Sequence, residues 1–356
     1  MPILDRELFF VVFFIGTAVF SFLLTKVIYK LALELDIRDY PDSERKIHLE
    51  PKPKLGGLAI FSSFVFALIL LSFLGGTDEI SAVRVAGVIL GGLALVIGGI
   101  LDDKYDLPAA KQIWFPVAAA LAVVLSGTHI SFITNPFGGN VILDQYKLLG
   151  YPVFGSLLVF AWILGMTYTT KFLDGMDGLV SGISAIAGLV IFGLSLGPAV
   201  NQTTTAFLAL IFAAAALGFL PFNFFPARIF LGEGGSTFTG FMIGTLAVIS
   251  GGKIATALLV LGIPILDAAW VIVRRLWFKK SPFVGDKKHL HFRLLDIGFS
   301  QRQAVLFLYF LAAIFGFIAV FLQSLEKLIA LGILAAVMLT VALSAMIIYN
   351  KKVGKF

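Results

Sequence analysis

Residues 8–31 read LFFVVFFIGTAVFSFLLTKVIYKL, and only two of them, Lys26 and Lys30, are charged. A helix of about 20 mostly apolar residues is long enough to cross the hydrocarbon core of a bilayer. No small-residue cleavage site follows this stretch, so it predicts a retained membrane span and not a signal peptide. The same pattern returns along the rest of the chain.

The composition of the whole chain is that of a membrane protein. Of the 356 residues, 59% are hydrophobic and 13% are Asp, Glu, Lys or Arg, whereas a soluble domain has about 25% charged residues. The mean hydropathy is +0.99, and the sequence has no cysteine. These values exclude a disordered protein, a disulfide scaffold and a nucleic-acid binder, and they predict an all-α integral membrane protein.

Eleven segments are long and apolar enough to be membrane spans. The predicted spans are 8–30, 55–75, 82–101, 110–127, 150–171, 178–197, 203–221, 236–251, 254–273, 303–322 and 328–349. Since no repeat or linker divides the sequence, we expect one polytopic domain over residues 1–356.

Lysine and arginine predict the orientation, because cytoplasmic loops carry an excess of both. With the N-terminus outside, 21 of the 27 basic residues fall on the cytoplasmic side and five on the other. The C-terminus is then cytoplasmic, and the net charge of +6 reflects topology and not a nucleic-acid partner. Two apolar stretches, Ile130–Ile133 and Val141–Leu143, predict a small external β-hairpin near 130–143.

Several acidic residues and three of the four histidines collect at the predicted cytoplasmic face. They belong to six short segments, namely Lys46–Lys54, Asp102–Asp103, Asp174–Asp177, Gly232–Ser236, Asp267 and His289–Arg293. Because these segments flank different spans, their position at one face predicts a single site at the membrane surface.

Two pairs of carboxylates are candidates for binding a divalent cation. Asp174 and Asp177 are three residues apart and are therefore expected to share a helix face, and carboxylate oxygens suit Mg²⁺ bridged to substrate phosphates. Asp102 and Asp103 end a predicted span, where a fraying helix would let both approach one cation. For each pair the simpler alternative is charge at a helix terminus.

Two further segments have both a chemical and a structural interpretation. Gly232–Ser236 opens a predicted helix whose free N–H groups would bind a phosphate, unless Ser236 is an ordinary N-cap. Asp267 follows Pro264, which predicts a kink. It is either a functional carboxylate or the partner of a nearby arginine.

The longest inner loop contains His289, His291 and Arg293 among lysines. These residues would bind phosphate or, alternatively, anionic lipid headgroups; two histidines without cysteine fall short of a zinc set. The sequence has no Walker phosphate loop, no dinucleotide-binding motif after a strand and no nucleophile-elbow serine. The polar residues therefore suit metal-assisted transfer of a phosphorylated group to or from a lipid.

The order of these motifs resembles that of the polyprenyl-phosphate N-acetylhexosamine-1-phosphate transferases. The resemblance runs from about residue 45 to 305 through RKIH at 45–48, PKLGG at 53–57, DD at 102–103, DGMDGL at 174–179, the segment 223–236, PILD at 264–267 and DKKHLHFRLL at 286–295. The chain looks like the branch that uses UDP-N-acetylglucosamine. The alternative is the phospho-MurNAc-pentapeptide branch, which usually has three consecutive histidines in the inner loop.

The resemblance implies a reaction and its surroundings. A sugar 1-phosphate would pass from a UDP-sugar to undecaprenyl phosphate with release of UMP, as the first membrane step of a cell-wall or surface glycan. The enzyme would depend on Mg²⁺, with Mn²⁺ as the alternative ion. It would be a multi-pass protein of the plasma membrane, in contact with membrane lipids, with its active site on the cytoplasmic face and with a homodimer as its expected assembly.

The resemblance also assigns roles by position. The catalytic residues would be Asp102, Asp103, Asp267, His289 and His291. The substrate-binding residues would be Lys46, His48, Lys54, Lys171, Asp174, Asp177, Asn223, Phe230 and Arg293, with Phe230 stacked on uracil unless it packs in the core. The metal ligands would be Asp103, Asp177 and Glu233.

Three residues depart from the family pattern. Lys171 stands where relatives usually have Asn, Glu233 where they have Asp, and Phe292 where they have His. Glu233 still offers a carboxylate to a metal, and Lys171 would place a charge directly on a phosphate. Together the departures predict an altered choice of sugar, with loss of activity as the alternative.

Two other classes of function compete with the transferase. A transporter or flippase also places charges inside a membrane bundle, but it needs polar residues near the midplane, whereas the carboxylates here collect at one face. A non-catalytic lipid-binding scaffold needs no complete set of carboxylates. The set present here is Asp102, Asp103, Asp174, Asp177 and Asp267.

Overall fold

The computed structural model describes residues 3–41, 50–74, 81–135, 138–198, 200–251, 254–277, 279, 289–322 and 324–352. Helices dominate these ranges. They are α1 (Ile3–Glu34), α2 (Gly56–Phe73), α3 (Ala82–Tyr105), α4 (Ala109–Gln112), α5 (Trp114–Leu125), α6 (Val153–Leu173), α7 (Leu179–Leu196), α8 (Thr203–Asn223), α9 (Gly232–Ile249), α10 (Ile254–Val260), α11 (Gly262–Trp277), α12 (Leu290–Asp296), α13 (Gln301–Phe321) and α14 (Ser324–Lys352).

Short antiparallel strand pairs connect some of the helices. The pairs are β1 (Arg38–Asp39) with β2 (Lys52–Pro53), β3 (Phe132–Thr134) with β4 (Asn140–Ile142), and β5 (Lys147–Leu148) with β6 (Tyr151–Pro152). The pair β3–β4 is the hairpin predicted from the apolar stretches near 130–143. Its place on the outer side of the membrane stays a prediction.

The chain is an all-α, multi-pass membrane protein. Within the described residues, eight helices are long and apolar enough to cross a bilayer, namely α1, α2, α3, α6, α7, α8, α13 and α14, and α10 with α11 makes a ninth if this bent pair counts as one span. The predicted number of eleven is therefore not confirmed. The other two predicted spans correspond to α5, which has only 12 residues, and to α9, whose first half is polar and begins with Gly232 and Glu233.

The predicted kink in the ninth span is a break between two helices. The axes of α10 and α11 differ by 80°, and the break falls at Leu261, before Pro264. A proline in the first turn of a helix is tolerated because its missing N–H has no partner there in any case. Pro264 therefore lies near the start of α11 and does not interrupt a continuous helix.

The centre of the bundle is formed by α8 and α9. Of the membrane-length helices α8 is the most enclosed, with 83% of its apolar window buried, against 22% for α14. All residues of α9 from Gly234 to Val248 are buried. The large apolar side chains that stay exposed lie mostly on the outer helices, where lipid would cover them.

Glycines bring the backbone of α9 against α2 and α3. A Cβ on Gly99 would lie 2.0 Å from the backbone nitrogen of Gly234, and a Cβ on Gly57 would lie 2.2 Å from the Cα of Gly235. Small residues allow such backbone contact between membrane helices. As a result the first turn of α9 lies beside the end of α3 and the start of α2.

Backbone hydrogen bonds hold the starts of α2 and α9 together. The N–H of Phe230 donates to the carbonyl of Pro53 (2.8 Å), the N–H of Gly56 donates to the carbonyl of Phe230 (3.0 Å), and the N–H of Gly57 donates to the carbonyl of Leu231 (2.8 Å). This ladder ties the PKLGG segment to the loop that precedes α9, so two of the sequence motifs share one end of the bundle.

We expect Gly99→Ala to destabilise the protein, because the new methyl group collides with main chain that cannot rotate away. Overpacking of this kind costs about 1–3 kcal/mol or more. The matched control is Gly165→Ala on α6, where a Cβ meets nothing within 4 Å and alanine favours the helix by about 1 kcal/mol. Thermal unfolding in detergent should show a lower melting temperature for Gly99→Ala alone. Equal melting temperatures for both variants would contradict the close contact.

Candidate active site

Asp103, on the last turns of α3, connects the three segments that meet at this end of the bundle. Its Oδ2 accepts the backbone N–H of Glu233 (3.0 Å), and its Oδ1 lies 3.7 Å from Lys54 Nζ. The ammonium of Lys54 also lies 3.0 Å from Asp39 Oδ1. Burial alone would lower the pKa of Lys54, but the charges of Asp103 and Asp39 outweigh burial and raise this pKa. Lys54 is therefore a stable cation beside the carboxylate.

Asp102 faces different partners from Asp103. Its Oδ1 accepts the backbone N–H of Leu107 (2.9 Å) and the amide N–H of Gln112 (2.6 Å). The expectation that a fraying helix lets both carboxylates approach one cation is not met, because α3 stays regular as far as Tyr105. Consecutive residues of a regular helix point about 100° apart.

Two of the residues that depart from the family pattern contact each other. Lys171, in the last turn of α6, places Nζ 2.6 Å from Glu233 Oε1 in the first turn of α9. The same ammonium donates to Gln112 Oε1 at 2.9 Å. The four residues Asp102, Gln112, Lys171 and Glu233 therefore form a continuous series of hydrogen bonds and an ion pair, which we call the polar chain.

The polar chain borders a small cleft between α3, α5 and α9. Asp102, Gln112 and Glu233 line this cleft together with apolar side chains such as Leu95 and Phe115. Sequence reasoning missed Gln112, because a single glutamine in a short connecting segment belongs to no motif. Its only signal is its position nine residues after Asp103, at the start of the next apolar stretch.

Asp174 and Asp177 lie in the loop between α6 and α7, so the expectation that they share a helix face is wrong. The helix α7 begins only at Leu179, after Gly178 with φ of +80°. The hydroxyl of Tyr309 on α13 donates to the carbonyl of Gly178 and holds this loop.

Each carboxylate of this loop has its own surroundings. Asp177 Oδ2 accepts the backbone N–H of Ala227 (2.9 Å). Asp174 keeps contact with solvent, but the surrounding protein removes much of its hydration. This desolvation, followed by the charges of Glu233 and Asp177, raises the pKa of Asp174 to about 7.

Asn223 supports the loop that leads into α9. Its side chain is buried, accepts the hydroxyl of Ser181 (2.8 Å) and donates to the carbonyl of Ile229 (3.1 Å). In this arrangement both ends of the amide position the loop. Phe230, in the same loop, is half-buried, and its backbone belongs to the ladder with Pro53 and Gly56.

The helix α9 begins at Gly232, so the prediction that Gly232–Ser236 opens a helix is confirmed. The predicted span started four residues too late, and the alternative of Ser236 as the N-cap is wrong because Ser236 lies inside the helix. The hydroxyl of Ser236 donates to the carbonyl of Glu233 instead. Because the N–H of Glu233 donates to Asp103, a carboxylate already occupies one of the helix-start donors.

Asp267 and His289 form a second group, on α11 and at the start of α12. Asp267 Oδ2 lies 2.8 Å from His289 Nδ1, and Oδ1 accepts the N–H of Leu290 (2.8 Å). A carboxylate on one ring nitrogen of a histidine fixes the orientation and tautomer of the ring. Arg293 is half-buried on the same short helix. Lys46, His48 and the side chain of His291 lie outside the described residues.

The predicted metal ligands are not gathered as a three-carboxylate site. Within the ranges that the structure describes, no group of three or more Asp, Glu or His side chains could hold a metal ion. Asp177 is bonded to Ala227, whereas Asp103 and Glu233 are neighbours. Mg²⁺ is usually held by one or two carboxylates and completed by substrate phosphates and water, so Asp103 and Glu233 supply the type of donor that the ion requires.

Comparison with known proteins assigns the chain to a family. A family model described as glycosyl transferase family 4 matches residues 85–251. The matched region runs from α3 to the end of α9 and contains Asp102, Asp103, Lys171, Asp174 and Glu233.

Curated relatives match most of the chain. A probable undecaprenyl-phosphate N-acetylglucosaminyl 1-phosphate transferase of Bacillus subtilis is 32% identical over 330 residues, covering 90% of this chain and 87% of the relative. A decaprenyl-phosphate N-acetylglucosaminephosphotransferase of Mycolicibacterium smegmatis is 32% identical, with 92% and 86% covered. An undecaprenyl-phosphate alpha-N-acetylglucosaminyl 1-phosphate transferase of Thermotoga maritima is 34% identical, with 77% and 78% covered. These matches confirm the resemblance seen in the motifs: the chain belongs to glycosyl transferase family 4.

Proposed function

We propose that this enzyme transfers N-acetylglucosamine 1-phosphate from UDP-N-acetylglucosamine to undecaprenyl phosphate and releases UMP. The observation that carries the proposal is the joining of Lys54, Asp103, Glu233 and Lys171 by direct contacts at one end of an apolar helix bundle. Both substrates carry phosphates, whose negative charge is stabilised by cationic side chains and a metal ion. The polyprenyl chain of the acceptor is apolar and lies in the membrane. The names of the matched relatives support the sugar and the polyprenyl phosphate.

The reaction exchanges one diphosphate bond for another. An oxygen of the acceptor phosphate attacks the phosphorus that carries the sugar and forms a new P–O bond. The bond from that phosphorus to the UMP oxygen breaks, and UMP leaves with the electron pair. Catalysis of such a transfer depends mainly on positioning and on stabilisation of charge.

The side chains of the site divide this work by charge. Lys54 and Lys171 attract the phosphates of the two substrates, and each is already oriented by a carboxylate. Asp102 and Asp103 lie where the acceptor phosphate enters, and one of them takes up its proton. Asp174 and Asp177 bind the nucleotide part of the donor, and Phe230 stacks on uracil. Asp267 orients His289, which with His291 and Arg293 contacts the diphosphate or the sugar.

Asp103 and Glu233 would hold Mg²⁺ in this proposal. A bound ion would supply positive charge next to the diphosphate and the departing UMP. Asp177 would become a third ligand only if its hydrogen bond with the N–H of Ala227 breaks. Mn²⁺ takes the same oxygen ligands and is the alternative ion.

The remaining parts of the proposal concern location. The excess of basic residues supports a plasma-membrane protein with this site at the cytoplasmic face, where UDP-sugars are available. A homodimer is the proposed assembly.

We expect the detergent-purified protein to release UMP when it is given undecaprenyl phosphate, Mg²⁺ and UDP-N-acetylglucosamine. Release should require both the lipid and the ion, because the lipid supplies the nucleophile and the ion neutralises the charge on the leaving group. A panel of UDP-sugars, including UDP-MurNAc-pentapeptide, tests the choice of donor. No release from any donor, with lipid binding demonstrated, would contradict the proposed function and favour a scaffold.

Asp102→Asn and Asp177→Asn should each lose activity while the protein still folds. Loss of a positioned charge in an active site costs about 100-fold or more in kcat. The matched control is Asp106→Asn, since Asp106 is exposed at the end of the same helix in the left-handed conformation, which asparagine tolerates. Unchanged turnover of both Asp102→Asn and Asp177→Asn would contradict the site.

Glu233→Asp should keep activity within about tenfold, because the shorter side chain still presents a carboxylate. Glu233→Gln should lose more, since the amide is neutral and leaves the Lys171 ammonium without its counter-charge. The two variants are compared by UMP release at several Mg²⁺ concentrations. Complete inactivity of Glu233→Asp would show that the extra methylene, and the 2.6 Å contact that it permits, is required.

A further inference from the structure

The amide of Gln112 lies in the middle of the polar chain and is bonded at both ends. Nε2 donates to Asp102 Oδ1 (2.6 Å) and to the carbonyl of Leu107 (2.7 Å), while Oε1 accepts from Lys171 Nζ (2.9 Å). A side-chain amide has two N–H donors and one carbonyl acceptor. The reverse orientation would point the carbonyl at the Asp102 carboxylate and the N–H groups at an ammonium. The two neighbours therefore fix the orientation of the amide, with its nitrogen toward Asp102 and its oxygen toward Lys171.

A neutral side chain with a donor end and an acceptor end suits this position best. Gln112 stands between a carboxylate on α3 and an ammonium on α6, which carry opposite charges. A glutamate at position 112 would place a negative charge beside Asp102. An apolar residue would leave the Lys171 ammonium with one fewer acceptor and the Asp102 carboxylate with one fewer donor.

Lys171 depends on Gln112 for its direction. Its ammonium has two described acceptors, Glu233 Oε1 on α9 and Gln112 Oε1 on α4. A lysine side chain is long and flexible. A single ion pair therefore leaves the ammonium free to move around its partner. The second acceptor confines the ammonium to the side of the cleft that Asp102, Gln112 and Glu233 line.

We propose that Gln112 is a positioning residue for the transfer reaction, which holds the Lys171 ammonium against Glu233 and fixes the orientation of the Asp102 carboxylate. This inference rests on the proposed function, since Gln112 acts on the substrates only through Lys171 and Asp102. It adds to the site a residue that no motif contains.

A purely structural role is the rival explanation. The helix α4 has only four residues, and the bonds from Gln112 to Asp102 and Leu107 also close the turn that connects α3 to α4. The experiment must therefore include a change that weakens this turn and yet restores the charge arrangement. Moving the cation from position 171 to position 112 meets this requirement.

The experiment measures kcat and KM for UMP release in the full-length protein. The variants are Gln112→Met, Lys171→Gln and the double variant Gln112→Lys/Lys171→Gln, and the control is Gln145→Met at an exposed position. Gln112→Met should lower kcat/KM by about 10- to 100-fold, the loss expected for hydrogen bonds to charged groups. Gln145→Met should match the wild type.

The double variant separates the two explanations. It again places one cation between the carboxylates of Asp102 and Glu233, so we expect it to be about tenfold more active than Lys171→Gln. A structural role predicts instead that a second change in the polar chain lowers activity further. The comparison of the double variant with Lys171→Gln separates a positioning role from a structural role even if Gln112→Met does not fold.

Two results would overturn the proposal. One is a Gln112→Met variant with kcat/KM within about twofold of the wild type, a difference below 0.5 kcal/mol. The other is a double variant no more active than Lys171→Gln. Absence of UMP release from the wild-type protein is a different failure, because it contradicts the proposed function itself, whereas either result in an active wild-type background contradicts only the role of Gln112.

Discussion

Backbone contact between α9 and its two neighbours brings Lys54, Asp103, Glu233 and Lys171 together. The first turn of α9 reaches Asp103 only because Gly99 and Gly57 let the helices touch without intervening side chains. The N–H of Glu233 then becomes a donor to Asp103, and the side chain of Glu233 extends toward α6, where it meets Lys171. A wider spacing of the helices would break both contacts at once. The chemistry of this end of the bundle is thus a consequence of close helix packing.

The charges of the site balance one another locally. Asp103 has Lys54 beside it and Glu233 has Lys171, so each of these two carboxylates has a cation within 4 Å. Removing two charges from water is costly, and a pair in good geometry offsets that cost only in part. In the proposed reaction, a substrate phosphate that approaches Lys54 or Lys171 meets an ammonium that a carboxylate already orients.

The sequence predicted which charged residues come together better than it predicted their local geometry. Basic residues and apolar stretches placed Lys54, Asp103 and Glu233 at one face, and the structure brings these three into contact. The loop conformation of Asp174 and Asp177 was missed because a spacing of three residues reads as helical unless the positive φ at Gly178 is known. The partner of Lys171 was not predictable, because contacts between distant helices leave no periodic signal in one sequence.

The number of spans shows a related limit. Counting apolar stretches included α9, but the polar first half of this helix is enclosed by other helices and does not have to be as apolar as a lipid-facing span. The composition of a segment does not show which other helices surround it, and burial depends on those neighbours. The same reason explains why Gln112 went unnoticed among the residues of a short connection.

The glycine contacts of α9 also restrict how this surface can change during evolution. Any side chain at Gly57 or Gly99 collides with main chain, so a single substitution at either position displaces a helix and the site with it. Lys171 and Gln112, by contrast, meet through side chains, which can change without a collision of main chain. An inhibitor that binds the main chain where α2, α3 and α9 touch would accordingly select few resistance mutations. One that binds the side chain of Lys171 would select them more readily.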